Sequence, residues 1–255
     1  MDWTLEHKRD ACLRAPMGGI LLREDTRVIE RDGWYEIVTP SGPGSMLNEV
    51  VLSVIDAPDV DAVIDATLAA HPGGVKWCVG YWTSPSDFGE RLARRGFSSL
   101  DVRGMGCSTS LAIETPREIV VRRVGRHGVS AFVDLAMRGW GIPLDQADAE
   151  VATHRRALEE DTAALFVAEL DGVPIGTAGV IFRGDYGYLV GTQVLGHARS
   201  RGAYRGLVAA RLRLLAERGI GYAVTQARVA TSAPMLEKLG FETLFTSRCY
   251  LSPGP

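Results

Sequence analysis

Residues 199–206 read RSRGAYRG and lie just beyond the apolar run YLVGTQVL. Arg199, Arg201 and Arg205 supply charge, and Gly202 and Gly206 let a backbone come close to a ligand with no Cβ in the way. A helix N-terminus adds unpaired N–H groups and the positive end of the helix dipole. A strand, such a turn and a helix in succession form a phosphate or pyrophosphate site. Three arginines alone would make only a solvated basic surface, so the flanking elements decide. The turn is not a Walker motif, because it has no GK[ST]; nor has it the GxGxxG of a dinucleotide fold.

Those elements follow from periodicity and punctuation. Ser110–Val121 contains Pro116 and separates two strand-like runs, which puts a domain boundary there, with residues 1–113 before it and 118–255 after it. Beyond it come a short β run at 119–124, a helix at 129–137 and a more polar helix at 144–160. The break at Gly141-Ile142-Pro143 divides the two helices. Asp171-Gly172 predicts a hairpin, since both residues accept positive φ. GYLVGTQVL is a third strand, GLVAARLRLLAERG an amphipathic helix, GYAVTQA a strand, APMLEKLG a short helix, and FETLFTSRCYL a closing strand. The order β-α-α-β-β-β-α-β-α-β predicts an α/β (α+β) fold with a mixed sheet and helices on its faces.

In this setting RSRGAY resembles the [Q/R]xxGx[G/A] pyrophosphate loop of the GNAT superfamily of acyl-CoA N-acyltransferases. Arg199 stands first and Gly202 fourth. Tyr204 occupies the place where Gly or Ala is usual, a departure that matters little if backbone amides do the binding. The resemblance covers roughly Glu118 to Leu251 and implies a mostly antiparallel sheet whose two central strands splay apart. It implies that Val194 and Leu195 line the pantetheine arm, with a backbone N–H facing the thioester carbonyl. The amides and side chains of Arg199, Arg201, Gly202, Ala203, Tyr204 and Arg205 would hold the pyrophosphate. Thr225-Gln226-Ala227 would lie opposite Val194. A glutamate in place of Gly202 would be expected to lay a carboxylate against the anion.

The catalytic residues are less legible. Many superfamily members carry a tyrosine, as acid for the thiol, where MLEKLGF has Leu236. Ser232, one turn earlier, is a substitute donor, with helix capping as its alternative role. No carboxylate precedes the loop; Thr192 and Gln193 stand there, leaving His154 as a candidate base on a polar, solvated helix. Trp140, within MRGWGIPLDQAD, suits either the wall of an acceptor pocket or burial against the core.

The first half repeats part of this pattern. LARRGF echoes LEKLGF, and each follows a strand. The turn after NEVVLSV, however, holds Asp56, Asp59 and Asp61 with no arginine or glycine, and carboxylates would repel a pyrophosphate. This half therefore reads as a smaller, degenerate GNAT-like or cover domain.

A formal charge of −3 argues against a nucleic-acid-coating protein. No apolar stretch reaches the roughly 20 residues of a membrane span. The N-terminus has no apolar signal core, so a cytoplasmic protein is expected. Cys12, Cys78, Cys107 and Cys249 are far apart and show no CxxC spacing, so neither a metal site nor a disulfide framework is expected. The reading is an N-acetyltransferase that moves an acetyl group from acetyl-CoA to a primary amine of a small molecule, without a metal. A homodimer is compatible with it. The alternative is a non-catalytic acyl-CoA-binding sensor.

Overall fold

The computed structural model describes residues 3–16, 22–42, 44 and 47–253. In chain order the elements are α1 (Leu5–Arg14), β1 (Arg27–Arg31), β2 (Trp34–Val38), β3 (Glu49–Ser53), α2 (Val60–Ala70), β4 (Lys76–Gly80), α3 (Phe88–Arg94) and β5 (Ser98–Ser108). They continue with β6 (Ile119–Arg123), α4 (Val129–Trp140), α5 (Ala147–Glu159), β7 (Ala163–Leu170), β8 (Val173–Arg183) and β9 (Tyr186–Val194). The last are α6 (Ala203–Glu217), β10 (Tyr222–Arg228), α7 (Ser232–Lys238) and β11 (Glu242–Leu251). From β6 onward this is the order expected from the sequence.

The chain divides into two compact units. One gathers α1, Gly106–Thr225 and Leu236–Glu242; the other gathers Leu22–Met105, Gln226–Met235 and the residues from Thr243 onward. In the first unit the strands run in the order β6-β7-β8-β9-β10. Every neighbouring pair is antiparallel except β9 and β10, which are parallel. The β7–β8 turn is Asp171-Gly172, at φ 52° and 76°, the double positive φ that the dipeptide predicts. The amphipathic α4 buries Val129, Phe132, Val133 and Met137 on one stripe. It runs three residues past the predicted end because the αL residue that stops it is Gly141, at φ 67°. Residues Gly106–Ser108 of β5 belong to this unit, and beside them Thr109 donates its N–H to Gly221 O at 3.1 Å.

The second unit repeats the plan on a smaller scale. Its strands run β1-β2-β3-β4-β11. Antiparallel β1, β2 and β3 lead through α2 to a parallel β3–β4 pair, β11 lies antiparallel to β4, and residues 98–105 of β5 follow β11 in the same unit. Its core packs Trp34, Val50, Ile64, Trp77, Phe88 and Leu92. In the β4–β11 register Cys78 faces Cys249, with the two sulfurs 3.1 Å apart, so two of the scattered cysteines meet as buried free thiols.

Candidate functional site

The strands β9 and β10 define the site. They pair in parallel at only three positions, Tyr186↔Tyr222, Gly187↔Ala223 and Tyr188↔Val224. Next along, the Thr225 hydroxyl donates to Leu189 O at 2.8 Å, while β9 continues to Val194 against β8 alone. The two strands have parted there. The cause lies in β9: Gly191 and Thr192 together face the single residue Ala178, and Gly191 sits at φ 62°. An extra residue of this kind bends the strand and strengthens its twist.

Beyond that bulge the backbone alternation assigns directions. Leu195 N–H donates to Ile175 O at 2.8 Å, so 195 and 175 form a hydrogen-bonded pair. The neighbouring pair, Val194 with Gly176, is then of the other kind, and the N–H and C=O of Val194 face away from β8, toward the gap. The Arg199 Nε–H donates to that outward carbonyl at 3.4 Å. Of the two residues expected to line the pantetheine arm, Leu195 has spent its amide on the sheet and Val194 has not.

The chain next makes one 3-10 turn at Gly196–Ala198 and enters α6 through Gly202, at φ 87° and ψ 0°. Ser200, two residues earlier, is also left-handed at φ 65°. A non-glycine residue held there costs about 1–2 kcal/mol, and such strain gathers at ligand clamps. No side chain caps α6. Gly206 N–H closes the first helical bond on Gly202 O at 3.0 Å, which leaves the amides of Ala203, Tyr204 and Arg205 for an outside acceptor. Arg199, Arg201 and Arg205 are all exposed around this turn. The arrangement fits a diphosphate.

One expectation needs correcting. A Cβ on Gly202 would come within 2.5 Å of the Pro116 ring. A side chain there would meet that proline rather than the anion, so glycine is required by its φ and by packing. A glutamate would act by deforming the turn.

The remaining candidates lie elsewhere. His154 is not solvated: its side chain is 12% exposed, with its ring 5.7 Å from Phe132 of α4. Its Nδ1 donates to Glu150 O at 2.7 Å, and burial lowers its pKa, so the imidazole is neutral with Nε2 unprotonated. Ser232 falls in the other unit, where its hydroxyl accepts Arg228 N–H at 3.0 Å. It ties α7 back to the end of β10. Leu236 is buried, and Trp140 is half exposed at the end of α4.

Two supporting side chains were not singled out from sequence. Gln193 lies buried, with its Nε2 donating to Leu135 O of α4 at 3.3 Å and to the Thr177 hydroxyl at 3.2 Å. Its Oε1 has no partner, and it fills the place where a Cβ on Gly139 would be. Arg211 of α6 is 1% exposed and donates to Leu207 O and Gly179 O. A glycine in the middle of α4 and an arginine on a leucine-rich face were the available signals.

Comparison with known proteins bears on the fold. Residues 129–241, which carry the splayed strands and the turn, match the model of the acetyltransferase (GNAT) family. The whole fold is similar to a GCN5-related N-acetyltransferase from Kribbella flavida, at 14% identity and TM-score 0.67, over 97% of this chain and 96% of that one. It is also similar to a functionally unknown conserved protein from Staphylococcus epidermidis, at 12% identity and TM-score 0.69, over 92% and 96% of the two chains. A tandem GNAT protein from the clavulanic acid biosynthesis pathway aligns over 97% of this chain and 94% of its own, at 14% identity and TM-score 0.54. At these identities the likeness establishes fold. No curated protein matches the sequence. Among the described residues no helix is long and apolar enough to cross a membrane, and no cluster of three His, Cys, Asp or Glu could hold a metal ion.

Proposed function

We propose that this protein is an acetyl-CoA-dependent N-acetyltransferase acting on a primary amine of a small molecule. The observation that carries the reading is the parting of β9 from β10 directly before an uncapped helix N-terminus. The diphosphate of acetyl-CoA would sit on the amides of residues 203–205, within reach of Arg199, Arg201 and Arg205. The pantetheine arm would enter the gap beside Val194. Its thioester carbonyl would accept from Val194 N–H, and a donor aimed at the charge developing on that oxygen is worth roughly 3 kcal/mol at other acyl-transfer sites. The amine attacks the carbonyl carbon directly, the C–S bond breaks, the amine's proton passes to water, and coenzyme A leaves as the thiolate. Holding both substrates together supplies much of the acceleration, with no covalent intermediate on the protein.

Leu236 cannot protonate the departing sulfur, and Gln193 cannot take the proton from the amine. Those two residues favour a second reading, an acyl-CoA sensor without turnover. Isothermal titration with acetyl-CoA tests the site: one-to-one binding supports it, and absence of binding ends it. Release of coenzyme A that depends on an added amine then separates enzyme from sensor.

A further inference from the structure

The two contact points of the proposed coenzyme site stand on different elements, the α6 turn and Val194 of β9. Arg211 ties α6 to β8, the strand that pairs with β9. From the third turn of α6 its Nη1 donates to Gly179 O of β8 at 3.1 Å, while its Nε holds Leu207 O of its own helix at 2.9 Å. Gly179 pairs with Val190 at the point where the β8–β9 register slips, immediately before Gly191 and Thr192 bend β9 toward the outward-facing Val194.

The guanidinium is buried among carbonyls, and no carboxylate forms an ion pair with it among the described residues. Burying a charge in this way is expensive, and an apolar side chain of similar volume would serve packing better. Burial also lowers its pKa to about 10, which still leaves it a cation at neutral pH. A rigid, forked donor can satisfy two carbonyls on different elements at once, which a leucine cannot.

We propose that Arg211 is a positioning residue that fixes the distance between the diphosphate-binding turn and the Val194 amide, so that one acetyl-CoA molecule engages both. This rests on the coenzyme reading given above. The test uses two ligands on the full chain, acetyl-CoA and adenosine 3′-phosphate 5′-diphosphate, which keeps the phosphate end but lacks pantetheine. In Arg211→Met, the affinity for acetyl-CoA is expected to fall about ten-fold, while that for the fragment changes no more than about two-fold. Arg211→Lys, which keeps the charge and can reach one carbonyl, should fall between. Equal weakening of both ligands, or no weakening of either, overturns the proposal. Failure of the wild-type protein to bind either ligand would instead withdraw the coenzyme site itself, and the role of Arg211 with it. Should Arg211→Met not fold, the Arg211 Nε–H resonance of the wild-type protein replaces it. That resonance is expected to move with acetyl-CoA and stay with the fragment; no movement with acetyl-CoA overturns the proposal.

Discussion

The turn after β3 and the turn after β9 occupy the same place in the two units, each between a strand and the helix that crosses to a parallel partner. Their chemistry is opposite. Around the start of α2 the chain offers Asp56 and Asp59 before the helix and Asp61 in its first turn. Asp61 is taken up by two arginines of the unit's own α3 side, Arg91 at 2.5 Å and Arg95 at 2.8 Å. Hydrogen bonding from Arg95, with Arg91 beside it, holds that carboxyl below its ordinary range. No side chain caps α2 either, but carboxylates stand at its positive end and answer the dipole from within the protein. Before α6 the chain offers glycine and arginine and no carboxylate, so the same dipole is left for something from outside. A repeated architecture can keep its strands and helices while the charge at one turn decides whether it holds a ligand.

The strongest way to break that contrast is to make the α6 turn resemble its counterpart. Arg201→Glu together with Arg205→Glu should weaken acetyl-CoA binding roughly 100-fold at low salt and less at high salt, measured by isothermal titration. Unchanged affinity would mean that the two turns do not differ in the way argued. Gly202→Ala asks for the left-handed conformation without glycine and sets a methyl against Pro116. It should lower unfolding stability by about 1–2 kcal/mol in urea, and an unchanged midpoint would show that the turn tolerates a side chain.

A subtler test concerns His154. Its folded pKa lies below the ordinary 6.5, so the stability it contributes is complete above that value and is lost as pH falls through the lower, folded one. Urea midpoints at pH 7.5 and pH 5 should therefore differ more in the wild-type protein than in His154→Gln. An equal difference would remove the buried-neutral assignment. The smallest effect is expected from Asp61→Asn, which should leave the affinity for acetyl-CoA unchanged while slightly lowering the melting temperature. A gain or loss of coenzyme affinity there would sink the idea that the α2 turn has no part in binding.

What could be read from the sequence is what depends on local rules. RSRGAYRG carried its meaning in residue types that fix backbone freedom and charge over eight positions, and Asp171-Gly172 specified its own turn. His154 was misjudged as solvated because the polar face of α5 hides the approach of Phe132 from another helix. The fit of Gln193 against Gly139, the reach of Arg211 to Gly179 and the meeting of Cys78 with Cys249 all join residues distant in the chain. No spacing rule finds such pairs, because they exist only once the strands have been brought into register.

The closing of the β4 edge by β11 has a consequence for how the molecule is made. The unit built mainly from residues 22–105 lacks its last strand until residues 242–251 have left the ribosome. Until then β4 presents an open row of backbone donors and acceptors, the kind of edge that invites pairing with other chains. Synthesis from the N-terminus therefore cannot finish the first half first. Coexpression of the two halves as separate polypeptides should recover more folded protein than expression of either one alone.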